Sequence, residues 1–562
     1  MFTSPKLDPR QQDHFASAKP SRGHSHLREG VYCTGCLHPG LRQRANNGSL
    51  MRRESKALFS TAVVTGFGYA AQLLSLFAIP LYLRTLGTEN YGLMVTVAAF
   101  TGYLNFADAG LSWGTMILIA HASGRQNKGE IALVIRHGAV LALGSGVVAL
   151  LALAGLLLLA ASGHRLPMFA AHPETDVLLV IAGLQLFASL QVGTVHSLFI
   201  GLQENYWAGL YQGLARILGL AGGMVVAVTT NNVAWVMAWQ GAVTTLAGGA
   251  AAFHAWRLHP WAFERGNWFD KAQYLTQLRV GLKNFMLQAG RTLSGTAPIL
   301  AISSIAGPAM VPLYTVPLTL FGLFLVPVNS WNANMQGAYG EAWTSGDRQW
   351  VKEAFRNSLL RVLVVTGLGL ALFFALGDGF VRLWTHDRLS VSLAMAGSVA
   401  ATVLTGTLLA AGQCLLTGLN RHGRISLAEM VNGVLALGLV IGSVRWIGVA
   451  GAGLGVMLAA LLSSAWVLRR AVVAQLGPDC FPKSRAVVKT VVGMVAGCVT
   501  AGSVMVSVNV RQGTPTAIAL GLAALAGGAV FIGLVLVLRV LPLDLVREAV
   551  RSMSRRMAIH RK

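Results

Sequence analysis

The stretch ASGRQNKGEIALVIRHG (residues 122–138) has a counterpart in the same chain, TSGDRQWVKEAFRNSL (344–359). Both are polar, basic segments that lead into a long apolar run. Two further pairs of stretches match in the same way: LGTENYGLM (86–94) with IAGPAMVPLY (305–314), and GLQENYWAG (201–209) with GLNRHGRIS (418–426). Matches of this kind indicate an internal repeat, which decides the fold of the whole chain.

The distance between the matched stretches is nearly constant. The shift is 222 residues from Ser123 to Ser345, and the other two anchors give 220 from Gly87 to Gly307 and 217 from Gly201 to Gly418. Three matches at nearly one offset predict two homologous bundles of six helices. Because six spans return a chain to the side of the membrane where it began, the two bundles have parallel topology, as in one class of secondary transporter.

The composition is that of a membrane protein. Hydrophobic residues make up 54% of the 562 residues, and charged residues make up 12%, where a soluble domain has about 25%. A membrane span needs roughly 20 mostly apolar residues. We predict fourteen spans: 57–83, 91–119, 138–161, 176–200, 207–229, 233–255, 282–305, 312–334, 358–377, 391–417, 426–444, 449–468, 488–508 and 516–541.

The predicted fold class is therefore an all-α polytopic membrane protein with about 14 transmembrane helices, arranged as two pseudo-symmetric six-helix lobes plus two C-terminal helices. The predicted segments are a disordered N-terminal tail (1–50), an N-terminal lobe (51–255), a cytoplasmic interfacial linker (256–281), a C-terminal lobe (282–470), two extra transmembrane helices (486–541) and a basic cytoplasmic tail (542–562). Whether translation starts at Met1 or at Met51 stays open.

Positive charge follows the predicted topology. The chain has 44 Lys and Arg against 21 Asp and Glu, a formal net charge of +23. The basic clusters around 125–136, 265–283, 348–361 and 469–485 fall on alternate loops. This distribution obeys the positive-inside rule with both termini cytoplasmic. The charge thus indicates the membrane topology and contact with anionic membrane lipids, and no nucleic-acid partner is predicted.

Cysteine usage gives little support for a metal site. Only Cys33 and Cys36 form a CxxC pair, and His24, His26 and His38 lie nearby. A zinc site there would lack a second Cys pair and a surrounding helix or strand pattern. We therefore predict no metal and no cofactor, and the role of Cys33 and Cys36 stays open.

Polar residues inside the predicted spans are concentrated on helices that the repeat makes equivalent. Spans one and two and their counterparts, spans seven and eight, each have a polar stripe at helical spacing. The members are Thr65, Tyr69 and Gln72; Thr101, Asn105, Asp108 and Ser112; Asn284, Gln288, Arg291 and Gly295; Asn329, Asn332 and Gln336. We predict that they line one polar, water-filled cavity between the lobes. The alternative is interhelical hydrogen bonding.

The charged residues within the spans have two interpretations each. Arg291 either binds an anionic group such as a phosphate, which a guanidinium binds bidentately, or forms a structural pair with Asp108. Arg216 and Glu429 are predicted within about two turns of cytoplasmic helix ends, where snorkelling or local pairing explains them. The predicted substrate-cavity residues are Arg291, Asp108, Asn105, Gln72, Gln288, Asn284, Asn329 and Asn332.

No enzyme motif stands out in the sequence. The chain has no P-loop pattern. A membrane polysaccharide polymerase or ligase is the enzyme alternative, but it would need a sizeable outward loop with acids, His and Arg, and the largest outward connections, 162–175 and 378–390, are short. We therefore predict a transporter rather than an enzyme.

The sequence resembles a known family. IPLYLRTLGTENYGLM (79–94), LNFADAGLSWG (104–114), GLQENYWAG (201–209), the doubling and the two extra helices are similar to bacterial polysaccharide (O-antigen and exopolysaccharide) repeat-unit flippases of the multidrug/oligosaccharidyl-lipid/polysaccharide exporter superfamily. The resemblance covers roughly residues 55 to 475. Its most specific part is the Leu-Gly-x-x-x-Tyr-Gly turn and the Asp-x-Gly-Leu of Asp108 to Leu111.

The resemblance implies a V-shaped inner-membrane transporter that moves an undecaprenyl-diphosphate-linked oligosaccharide to the periplasmic leaflet. Arg291 would then meet the diphosphate or an acidic sugar. Energy would come from an ion or proton gradient, for which Asp108 would be the coupling carboxylate, or from removal of product. A polysaccharide polymerase and chain-length machinery are the implied protein partners. Two other activities of the superfamily stay open as alternatives, cation-coupled multidrug export and lipid II flipping, because one fold hosts several functions. The sugar, the coupling ion and the oligomeric state are not predicted.

Overall fold

A computed structural model describes residues 39–538, except 165, 170, 171, 173, 265, 267–269, 422 and 513–515. The chain divides into two compact units, Met1–Glu54 and Ser55–Lys562. The features discussed below all lie in the second unit. Cys33, Cys36 and the predicted basic tail lie outside the described residues. The first helix begins at Pro39, inside the segment 1–50 that the sequence predicts as a disordered tail.

The described part of the chain is helical and contains no β-strand. Its α-helices are α1 (Pro39–Thr85), α2 (Gly87–Leu104), α3 (Leu111–Gly124), α4 (Lys128–Ala161), α5 (Thr175–Gly201), α6 (Asn205–Thr230), α7 (Val233–Leu258), α8 (Lys271–Ala306), α9 (Val311–Thr344), α10 (Arg348–Thr385), α11 (Leu393–Gly418), α12 (Gly423–Ile447), α13 (Gly451–Leu462), α14 (Ser464–Leu476), α15 (Ser484–Gln512) and α16 (Thr516–Val537). We call α1–α7 the N-lobe and α8–α14 the C-lobe.

Each predicted span coincides with one helix or with a helix pair, which confirms the all-α polytopic fold. Ten helices of the described residues are long and apolar enough to cross a membrane, and α13 with α14, bent by 40°, is an eleventh if counted as one broken span. The count of fourteen is therefore not confirmed. The three remaining spans are the broken pair α2–α3, the Gly-, Thr- and Trp-rich α7, and α8, which has polar residues along its length.

The second predicted span, 91–119, is not one continuous helix. Helix α2 ends at Leu104, residues Asn105–Asp108 form a 3-10 turn, and Ala109 and Gly110 have φ values of 45° and 77° before α3 begins. These left-handed conformations interrupt the right-handed helix, so the prediction of one unbroken polar stripe on this span is wrong. Glycine is required at 110 for a second reason: a Cβ there would lie 2.4 Å from the carbonyl oxygen of Gly281 in α8.

The segment 256–281, predicted as an interfacial linker, has three parts. It contains the end of α7, a 3-10 turn at Pro260–Phe263, and the first turns of α8 from Lys271. The side chain of Asp270 accepts hydrogen bonds from the backbone N–H groups of Ala272 and Gln273, at 2.9 and 3.2 Å, and so caps α8. Residues 271–281 therefore continue directly into the predicted seventh span.

The two lobes contain the same local arrangement. In the N-lobe, α5 ends at Gly201 and α6 follows at Asn205; in the C-lobe, α11 ends at Gly418 and α12 follows at Gly423. The pairs α6–α7 and α12–α13 both pack closely, and α15 and α16 pack against each other and on α10. The equivalent helix pairs agree with the predicted repeat, and α15 and α16 follow it as the two additional helices, while the division into two pseudo-symmetric lobes stays a prediction.

Candidate functional site

Asp108 is held by the start of α3. Its carboxylate accepts hydrogen bonds from the Oγ of Ser112, at 3.0 Å, and from the Ser112 backbone N–H, at 3.4 Å. A negative charge is favourable at a helix N-terminus, where backbone N–H groups lack partners. Among the described residues no ion pair links Asp108 to Arg291, so the broken span rather than an arginine compensates this carboxylate.

Arg291 lies where α8 and α12 approach most closely. A Cβ on Gly290 would lie 2.1 Å from the carbonyl oxygen of Glu429, and a Cβ on Gly433 would lie 2.7 Å from the carbonyl oxygen of Gly290. Because both positions are glycine, the two backbones can come together. This contact brings the side chain of Arg291 beside α11 and α12.

A chain of hydrogen bonds connects Arg291 to a buried carboxylate. Both Nε, at 2.7 Å, and one terminal nitrogen of Arg291 donate to Oε1 of Gln413. The amide nitrogen of Gln413 donates to Glu429, and Nδ2 of Asn432 donates to the other Glu429 oxygen at 3.2 Å. Glu429 is 1% exposed. The neutral Gln413 thus bridges the guanidinium and the buried carboxyl group, so the cluster has no net charge when both are ionised.

This cluster forms one wall of a cavity of about 500 Å³, which we call the C-lobe cavity. Five predicted site residues line it, together with residues of α3, α11, α12 and α13: Asn284, Gln288, Arg291, Asn329 and Asn332. The side chain of Arg291 is exposed towards the cavity. Nδ2 of Asn332 and Oδ1 of Asn432 are buried and have no hydrogen-bond partner among the described residues, so this wall has polar atoms available to a guest.

A second cavity, of about 420 Å³, lies between α2, α3, α5 and α8, and we call it the inter-lobe cavity. It contains the predicted residues Asn105 and Asp108. Gln288 and Trp113 line both this cavity and the C-lobe cavity. The indole of Trp113 is 47% exposed, so the two cavities share one aromatic surface and one amide.

The remaining predicted residue, Gln72, lies in a third cavity of about 550 Å³, which we call the N-lobe cavity. Residues of α1, α5, α6 and α7 line it, with Thr319 of α9. Nε2 of Gln72 donates to the carbonyl oxygen of Thr319 at 2.6 Å. On the same helix, Thr65 bonds to Ser330 of α9 at 3.2 Å, so part of the α1 stripe joins the lobes.

The predicted single cavity is therefore replaced by three. Residues of the stripes of spans seven and eight line one cavity as expected, but Gln72 of span one lies in a different cavity from Asn105 and Asp108 of span two. Arg216 also departs from its prediction. It lies eleven residues after the start of α6, about three helical turns, and its side chain lines the N-lobe cavity.

Sequence reasoning did not select Gln413, Asn432, Gln185, Gln212 and Gln240 as site residues. The repeat contained a usable signal for two of them. At the shift of 217 residues, His196 aligns with Gln413 and Gln212 aligns with Glu429. Nε2 of Gln212 bonds to Nδ1 of His196 at 2.9 Å, so both lobes have a hydrogen bond at the equivalent pair of positions.

Comparison with known proteins supports the fold. No curated protein matches the chain by sequence. A lipid II flippase, MurJ, in an inward closed conformation matches with a TM-score of 0.63 at 13% identity, covering 86% of this chain and 99% of that chain. An inward-facing multidrug resistance MATE family transporter of the MOP superfamily matches with a TM-score of 0.54 at 18% identity, covering 73% and 98%. A MOP superfamily transporter from Pyrococcus furiosus has a TM-score of 0.51 at 17% identity, covering 75% and 96%.

At these identities the structural likeness shows the fold alone. The sequence supplies a separate observation, because the model of a family described as polysaccharide biosynthesis protein matches residues 58–333, just under half of the chain. The match begins in α1 and ends in α9 and so includes the whole N-lobe from residue 58. The predicted resemblance is therefore confirmed: the chain is a multi-pass membrane protein whose fold is similar to that of MOP superfamily transporters, and its residues 58–333 match the model of the polysaccharide biosynthesis protein family.

Proposed function

We propose that this protein flips an undecaprenyl-diphosphate-linked oligosaccharide repeat unit across the bacterial inner membrane, for the synthesis of lipopolysaccharide or exopolysaccharide. The observation that carries this proposal is the C-lobe cavity, in which an exposed guanidinium lies among neutral amide side chains. The family match and the flippase-type fold support the class of transporter. The proposal includes a topology with both termini in the cytoplasm.

The cavity has the chemistry that such a headgroup needs. The Arg291 guanidinium can bind two oxygens of a diphosphate in parallel. Asn284, Gln288 and Asn329 offer amide donors and acceptors to sugar hydroxyls, and the exposed face of Trp113 offers a surface on which a sugar ring packs. In this proposal the headgroup crosses through the cavities, while the polyprenyl tail stays in the bilayer.

The same cluster suggests how substrate binding is coupled to an energy source. A diphosphate that binds Arg291 competes with Gln413 and Glu429 for its charge. A proton or cation that neutralises Glu429 would therefore release Arg291 for the substrate, and loss of that ion would return Arg291 to the bridge. We assign the coupling role to Glu429 rather than to Asp108, because Glu429 is linked through Gln413 to Arg291, whereas Asp108 bonds to Ser112 of α3.

The test is a deletion of the gene followed by extraction of lipid-linked oligosaccharides and determination of their leaflet. We expect accumulation on the cytoplasmic face, loss of surface polymer and rescue by the intact gene. If lipid-linked units reach the periplasm normally in the deletion strain, the flippase proposal is wrong. Increased drug sensitivity with normal surface polysaccharide would point instead to multidrug export.

A further inference from the structure

The N-lobe cavity has a polar lining to which the proposed function assigns no role. Its walls present Gln72, Gln185, Gln212, Arg216, Gln240 and Thr244. With about 550 Å³ it is as large as the C-lobe cavity and falls in the usual size range of ligand pockets. Amide side chains that donate and accept hydrogen bonds thus surround one guanidinium.

The charge of Arg216 is not balanced within this lobe. The sequences of α6 and α7 contain no Asp or Glu, nor does α1 from residue 55 onwards, and Asp176 of α5 lies in its first turn, more than two turns before Gln185. Among the described residues Arg216 makes no ion pair, and its side chain is exposed. A charge in the middle of a membrane helix is costly unless it faces a partner or a water-filled cavity. The cavity therefore has a net positive charge that can attract an anion.

In the C-lobe, by contrast, the cavity arginine has a carboxylate as its counter-charge. There the position equivalent to Gln212 is the carboxylate Glu429, which accepts from Gln413 and so balances Arg291. In the N-lobe the equivalent pair, His196 and Gln212, is a bond between an imidazole and a neutral amide. The two lobes thus have the same hydrogen-bonded positions, but only the C-lobe contains the acid.

We propose that the N-lobe cavity is a second substrate subsite, in which Arg216 binds an oxyanion and Gln185, Gln212 and Gln240 bind neighbouring hydroxyl groups. The ligand class is an anionic, hydroxyl-rich headgroup. The inference rests on the proposed function. Because Arg291 has a resident counter-charge and Arg216 has none, Arg216 is the arginine that is available to an anion without the displacement of a carboxylate.

Two parts of such a substrate have the required chemistry: the diphosphate and the carboxylate of an acidic sugar. Binding is therefore measured with full-length protein in lipid nanodiscs against two probes, undecaprenyl diphosphate and a disaccharide that contains glucuronic acid. Undecaprenol and a neutral disaccharide are the matched uncharged probes. If the Arg216 variants described below bind only the lipid diphosphate more weakly, Arg216 contacts the phosphate. If they bind only the acidic disaccharide more weakly, Arg216 contacts the carboxylate of the sugar.

Two variants test the charge of Arg216 without relying on a single substitution that could disturb the fold of the protein. Arg216→Gln is expected to weaken binding of one charged probe on the order of tenfold, because it removes a bidentate, charge-assisted contact. Gln212→Glu leaves Arg216 in place but adds a carboxylate four residues before it on the same helix, and we expect a similar loss. Arg257→Gln is the matched control, since Arg257 lies at the end of α7 over the ring of Phe253, outside the cavity.

The outcomes separate the inference from the function on which it rests. If wild-type protein binds a charged probe and both Arg216→Gln and Gln212→Glu bind it equally well, the inference is wrong and the proposed function stands. If wild-type protein binds neither charged probe, the subsite is refuted. If lipid-linked units also reach the periplasm normally in the deletion strain, the function is refuted as well. Thermal unfolding of each variant identifies a loss that comes from misfolding, and in that case the other variant decides.

Discussion

Arg291 and Glu429 lie in one wall of the C-lobe cavity and are joined by the neutral Gln413. At the scale of single residues, this arrangement gives Arg291 two separable roles. It neutralises a carboxylate that is 1% exposed, and it presents a guanidinium to the cavity. A single substitution removes both roles together, so only a pair of substitutions can distinguish them.

We expect Arg291→Ala to abolish complementation of a deletion strain, while Asn105→Ala only weakens it. Loss of the arginine leaves the buried Glu429 without its counter-charge, and we therefore expect a lower folding stability. The double variant Arg291→Ala/Glu429→Gln removes both charges and should recover stability. Complementation and thermal unfolding are measured at equal expression. If the double variant recovers transport as well, Arg291 balances charge and does not contact substrate.

Asp108 is predicted to be structural. Asp108→Ala removes the acceptor for the Ser112 hydroxyl and N–H, and we expect a loss of about 1 kcal/mol, the net contribution of a typical hydrogen bond. Asp108→Asn keeps an acceptor oxygen and should cost less. Thermal unfolding in detergent measures both. If Asp108→Asn is fully stable yet inactive, Asp108 is the coupling carboxylate after all.

Most of the secondary structure could be predicted at the scale of elements, because membrane helices are long and apolar. The break between α2 and α3 could not, since the sequence ADAGL is compatible with a helix, and the close approach of Gly110 to Gly281 joins positions 171 residues apart in the chain. Gln413 was missed for a related reason. It is one amide in an apolar helix, and its role depends on the distance to Arg291, 122 residues earlier.

The glycine contacts between α3 and α8 predict a conformational effect. A Cβ on Gly281 would lie 2.4 Å from the carbonyl oxygen of Gly110, so Gly281→Leu should force the two helices apart. Spin labels at Gly124→Cys and Ala272→Cys, in a background without the native cysteines, should report a longer distance. Gly144→Leu is the control, because nothing lies within 4 Å of its Cβ position. An unchanged distance in Gly281→Leu would show that this contact does not hold α3 against α8.

At the scale of the whole molecule, the repeat predicted two lobes but not three cavities. Duplication preserves helix order, and so the equivalent bonds His196–Gln212 and Gln413–Glu429 follow from the sequence offset. The side chains at equivalent positions differ, however, and these differences decide the charge of each cavity. The symmetric fold therefore contains two chemically different halves.

The arrangement of basic and aromatic residues predicts the orientation of the whole chain. Lys128 lies over Trp261, Arg348 over Trp343 and Arg470 over Trp466, and all three pairs occur on the side that the positive-inside rule makes cytoplasmic. Such pairs place a cation and an indole together at a membrane interface. The opposite side of the protein has the connections near residues 162 and 231.

Single cysteines test this orientation. In a background without the native cysteines, Ser162→Cys and Asn231→Cys should react with a membrane-impermeant maleimide added to intact spheroplasts, because both positions are exposed and the proposed topology places them on the periplasmic side. Ser345→Cys, also exposed, should react only after the membrane is opened. The three variants must complement the deletion strain for the comparison to hold. Labelling of Ser345→Cys in intact spheroplasts would show that the topology is the opposite of the one proposed. The substrate would then have to enter from the side that we assign to its release.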